Sequence, residues 1–122
     1  MQTSDAFAQA IAQFNAGEFF ACHETLEPLW QAASGAERMF LHGLIQAAVA
    51  LCHAQRGNLK GAVSLHARAQ SKFKDLPDSM RGVSLRQLSR ELEAFFGAVY
   101  AAHDEAVSYP TIQWQPDSKL GD

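Results

Sequence analysis

No segment of this chain alternates apolar and polar residues as a half-buried strand does, and Val, Ile and Thr are nowhere concentrated. A sheet is thereby excluded as the organising element. Long apolar runs are missing too: the most apolar stretch, Met39 to Ala54, is broken by His42, Gln46 and His53, so no membrane-spanning helix is expected. The opening residues, MQTSDAFAQAIAQF, carry acid and amide where a signal peptide would carry basic charge followed by an apolar run. A cytoplasmic location is the expectation.

Charge of one sign is equally scarce. Ten basic and 13 acidic residues are interspersed, with no run of five like charges, for a net charge of −3. That argues against a nucleic-acid or anionic-membrane footprint, and neither partner is expected. The two cysteines, Cys22 and Cys52, sit beside apolar neighbours in segments that read as helix interiors. In a reducing compartment they read as small buried hydrophobes rather than a disulfide or a metal pair.

What is present is helical spacing almost throughout. With 122 residues, 48% of them hydrophobic, the chain suits one domain with one core, and the fold expected is an all-α, single-domain bundle of about five helices built from antiparallel hairpins. The helices are placed at about 4–14, 18–33, 36–56, 59–74 and 84–103, with 104–122 an extended C-terminal tail. Asn15-Ala16-Gly17, Ser34-Gly35 and Gly57-Asn58 supply the stops, and Ser84 caps the last helix. Pro28 falls inside the second helix, where its missing donor predicts a kink or an early end. The fourth helix has a core stripe of Ala62, Leu65, Ala69 and Phe73, while His66 and His103 read as structural or solvent-exposed. Gly17-Glu18-Phe19 and Gly57-Asn58-Leu59 open two helices in the same way and hint at two related hairpins.

The chemistry concentrates on the second and third helices. On a wheel of about 100° per residue, His23 and Glu27 fall amid Phe19, Phe20, Leu26 and Trp30, so both are expected to be buried or to line a pocket. A buried carboxylate needs a partner, and His23 is one turn away. On the third helix His42, Gln46, His53 and Arg56 fall on one side. If the two stripes face each other, His23, Glu27, Gln46 and His53 make one polar cluster, walled by Trp30 and rimmed by Glu24.

Three readings of that cluster stay open. It is a small-molecule-binding or hydrolytic site with Glu27 and His23 as acid and base. It is a metal site, held if at all by His23 and Glu27, although His-Glu-x-x-Glu lacks the second imidazole of a zinc hydrolase motif. Or it is a structural hydrogen-bond network inside a non-catalytic module that offers a groove to a protein partner or a second copy, as in a homodimer, with exposed Tyr109 and Trp114 suiting that role. No cofactor is specified.

The ordered set Phe14-Asn15-x-Gly17-Glu18-Phe19-Phe20-x-x-His23-Glu24-x-Leu26-Glu27-x-x-Trp30, then Gly43-Leu44-Ile45-Gln46, then Gly57-Asn58-x-x-Gly61-Ala62 resembles a small helical prokaryotic family catalogued as domain of unknown function 309. The resemblance covers about Phe14 to Leu76, with Pro28 a local departure from the family's helix. It implies an all-helical domain with His23, Glu24, Glu27, Trp30 and Gln46 at signature positions, and it implies no activity.

Overall fold

A computed structural model describes residues 3–101 and 108–116. The class is all-α, with helices α1 (Thr3–Asn15), α2 (Phe19–Ala32), α3 (Gly35–Gln55), α4 (Leu59–Phe73) and α5 (Leu85–Tyr100). A small hairpin, β1 (Ser79–Met80) and β2 (Val83–Ser84), precedes α5. The chain divides into two compact units, Met1–Leu76 and Pro77–Asp122.

In the first unit each helix packs on the next. Trp30 meets His42 while Phe20 meets Arg56, so α2 and α3 run antiparallel. The space a Cβ on Gly43 would need is taken by Phe73, and that for one on Gly61 lies beside His53, so α3 and α4 do the same. The core lies along α3, where Phe40, Leu44, Ala47 and Leu51 are sealed from water.

The two glycine turns suspected from sequence share one physical device. Gly17 and Gly57 both take φ +79°, conformations that an L side chain resists. Each ends its helix with the same pair of bonds: Glu18 N–H donates to the Gln13 carbonyl and Gly17 N–H to that of Phe14, as Asn58 does to His53 and Gly57 to Ala54. These are Schellman closures, which satisfy carbonyls a helix end would leave bare. Asn58 then accepts from Gly61 N at 3.1 Å and so caps α4.

Pro28 does not end α2, which continues to Ala32. One lost backbone bond is outweighed because Leu26 stays buried before it and Trp30 packs on α3 after it. The buried stripe of α4 is Ala62, His66, Ala69 and Phe73 rather than one containing Leu65. His66 tolerates that place by accepting a hydrogen bond from Gln70 Nε2 at 3.3 Å, and Leu65 turns half outward.

In the second unit, the stretch around Arg81-Gly82, which falls between the fourth and fifth expected helices, is a tight hairpin with Ser79 opposite Ser84 and Met80 opposite Val83. Both turn residues have positive φ, 50° and 81°, the twist that two-residue hairpins require. A short strand pair built on Arg-Gly escapes a search for Asn-Gly or Asp-Gly. Ser84 Oγ accepts from Gln87 N and caps α5. The tail is extended where it is described: Gln115 N–H donates to the Gly82 carbonyl, and Trp114 Nε1 donates to that of Arg81. Trp114 is therefore half-buried, not the exposed side chain expected, while Tyr109 is exposed. The end of the last helix expected at 102–103, His103 and the tail at 104–107 and 117–122 lie outside the described residues.

Among the described residues no helix is long and apolar enough to cross a membrane. Cys22 and Cys52 are free thiols and buried, and burial pushes the Cys22 thiol up to about 12.

Candidate functional site

The inward side of α2 is Phe19, Cys22 and Leu26, spaced i, i+3, i+7. Their centre lies about 70° from His23 and about 110° from Glu27 on a helical wheel, which moves both residues off the buried face. His23 is accordingly half-buried, with 21% of its side chain exposed, and Glu27 has 49% exposed. Of the two alternatives expected for Glu27, buried or lining a pocket, the first does not hold. Phe20 and Trp30 widened the apparent apolar sector, yet Phe20 is 50% exposed and Trp30 is half-buried.

The expected cluster is spread along two helices. His23 Nδ1 donates to the Phe20 carbonyl at 3.0 Å, while its Nε2 lies 4.0 Å from Glu27 Oε2, beyond hydrogen-bond range. Glu24 is exposed. Of the expected cluster Gln46 alone is buried, 7% exposed, and its Oε1 has no hydrogen-bond partner among the described residues. His53 Nδ1 accepts from Asn58 Nδ2 at 3.2 Å, which ties it to the turn into α4. Among the described residues no hydrogen bond or ion pair joins Gln46, Trp30 or His53 to His23 or Glu27, and no three His, Cys, Asp or Glu side chains converge as a metal site would need.

Trp30 instead belongs to a different group. Its ring stacks on His42 with centroids 4.9 Å apart, and the Arg38 guanidinium lies 4.5 Å from its centroid. Arg38 Nη1 also donates at 2.9 Å to the Trp30 carbonyl, which accepts from Ala33 N–H as well, near the end of α2. Burial, and secondly the charges of Lys72 and Arg38, hold His42 below its ordinary value. At the other end of the hairpin Arg56 lies 5.7 Å from the Phe20 ring centroid. Sequence reasoning placed His42 and Arg56 on the α3 stripe but did not pair them with α2, and no pattern in the sequence singles out Arg38.

These contacts border one half-buried face of α3. His42, Ile45, Val49 and His53 share one side of α3 within about 80° and are all half-buried. Their flank toward α2 is held by Trp30 and Phe20. Their flank toward α4 is marked by Gly61 beside His53 and by Lys72 acting on His42. Leu65 and Arg68 share that edge of α4 with Gly61 and Lys72, within about 60°.

A protein of Aquifex aeolicus (strain VF5) named "Uncharacterized protein" is 27% identical to this chain over 107 residues, which is 87% of this chain and 32% of that protein. The chain thus spans about a third of the length of that relative. Residues 7–65, from α1 into α4, match the family described as domain of unknown function (DUF309).

Proposed function

We propose that this chain is a non-catalytic interaction module whose α2–α3–α4 groove receives a helix of a partner protein. The observation that carries this reading is the half-buried stripe His42, Ile45, Val49 and His53, which α2 and α4 flank without covering. A helix laid between them completes the packing of α3, as helix-in-groove recognition does elsewhere. The residues beside the stripe, Trp30 and Phe20 with Arg38 and Arg56 stacked on them, are the types that dominate binding energy at interfaces. The greater length of the Aquifex relative supports a module that works beside other segments.

A catalytic reading asks more of His23 and Glu27 than their geometry offers. A general acid–base pair works when enclosed and aimed at one reacting atom, whereas Glu27 is half in water and 4.0 Å from His23.

The test is an amide chemical-shift titration with a neutral peptide of about 18 residues, helical and carrying one leucine stripe, long enough to span about 27 Å. Shifts confined to the α2–α4 groove, and lost in Val49→Asp that still folds, are expected. Absent or scattered shifts sink the reading.

A further inference from the structure

We infer that the helix this groove takes is acidic along its polar flanks. The inference rests on the docking reading above and adds the partner's chemistry. The whole chain carries a net charge of −3, yet the groove is bordered by Arg38, Arg56, Arg68 and Lys72 against Glu24 and Glu27. Its charge is therefore opposite to that of the remainder of the surface, an arrangement that selects partners by complementarity.

The positions of these charges say more than their number. Arg38 and Arg56 lie on Trp30 and Phe20 at opposite ends of the α2–α3 seam, 18 residues apart on α3. That separation is about 27 Å, five helical turns. Arg38 is held by its bonds to the Trp30 and Ala33 carbonyls, so its charge is fixed in place before any partner arrives. Lys72 is half-buried on the same edge of α4 as Gly61, the residue that faces His53 across the α3–α4 seam. Arg68, one turn before Lys72, is exposed on the same edge of α4. Both ends and the α4 edge are thus basic.

Between them the floor is not built for phosphate. Ile45, Val49 and Leu65 give it an apolar middle that offers a phosphate backbone no partner, and Glu27 on the α2 edge leaves an acidic flank to the two ends and the α4 edge. An amphipathic helix satisfies both features: apolar residues at i, i+3, i+4 and i+7 lie on the floor, and Glu or Asp on the flanks meets the arginines and Lys72.

The experiment compares three peptides of about 18 residues with the same leucine stripe and with Glu, Gln or Lys on the flanks, alongside a single-stranded oligonucleotide of about 12 nucleotides, by titration against the full chain. Fluorescence of Trp30 and amide shifts report binding, with Trp114→Phe to isolate the indole signal. The Glu peptide is expected to bind about tenfold more tightly than the Lys peptide in dilute buffer, with the gap closing at high salt. The double variant Arg68→Glu, Lys72→Glu reverses the order while its melting temperature reports that it folds. If the Gln peptide occupies the groove but Glu and Lys peptides bind alike, the docking reading stands and the acidic partner falls. Failure of all three peptides removes both. Preferential binding of the oligonucleotide, or dimerisation of the chain through this face in light scattering, overturns the acidic helix in favour of that occupant.

Discussion

Trp30 and His42 stack across the α2–α3 seam with an interplanar angle of 31°, and the Arg38 guanidinium shares the same indole. An imidazole packed between an aromatic ring and cationic neighbours is disfavoured in its protonated form, by burial first and by Lys72 and Arg38 next. The unfolded chain, where His42 has its ordinary value of 6.5, binds more protons once the pH falls below that value. The stability that His42 supports is therefore complete above about pH 6.5 and is lost as the pH falls through its lower folded value. A proton NMR titration of the His42 ring should place its midpoint below 6.5, and Lys72→Met should move it upward. A midpoint at or above 6.5 would remove the electrostatic account of this corner.

Much of this fold can be read from sequence because glycine and apolar spacing act locally. Gly17 and Gly57 mark their turns since a positive φ is costly for other residues, and Ser84 and Asn58 mark helix starts since their side chains bond the first free amides. The candidate site is less legible for a reason that the groove makes plain. A wheel treats every aromatic as inward, but Phe20 and Trp30 cover Arg56, His42 and Arg38 at a half-open seam rather than entering the core. Including them swings the inferred face toward His23 and Glu27. The same assumption exchanges Leu65 and His66 on α4, where a single hydrogen bond to Gln70 keeps the histidine inside and the leucine borders the groove.

Two helical glycines should respond to alanine in opposite directions. A Cβ on Gly43 would lie 2.6 Å from Phe73 Cε1, so α3 and α4 approach closely only because that position is bare. Gly43→Ala must push the Phe73 ring out of a packed core and is expected to cost about 1–3 kcal/mol. At Gly97 in α5 nothing among the described residues lies within 4 Å of the place an added Cβ would take, so Gly97→Ala gains helix propensity alone, about 0.5–1 kcal/mol. Urea unfolding of the two variants checks both signs. Equal effects would mean that the α3–α4 approach yields to a methyl without loss.

Gln46 decides how the middle of α3 should be understood. Its side chain is buried, Oε1 has no hydrogen-bond partner among the described residues, and its neighbours on α3 are apolar. A buried acceptor without a donor costs about 1–3 kcal/mol, so an apolar side chain of similar length should do better there. Gln46→Met is expected to raise stability by about 1 kcal/mol, and Gln46→Glu, which adds charge at the same place, to lower it by several times that amount. Thermal and urea unfolding measure both. A loss of stability in Gln46→Met would show that the amide oxygen is satisfied in solution by a bound molecule. Gln46 would then belong to a ligand site, and the small-molecule reading of the α2–α3 polar residues would gain over the docking groove.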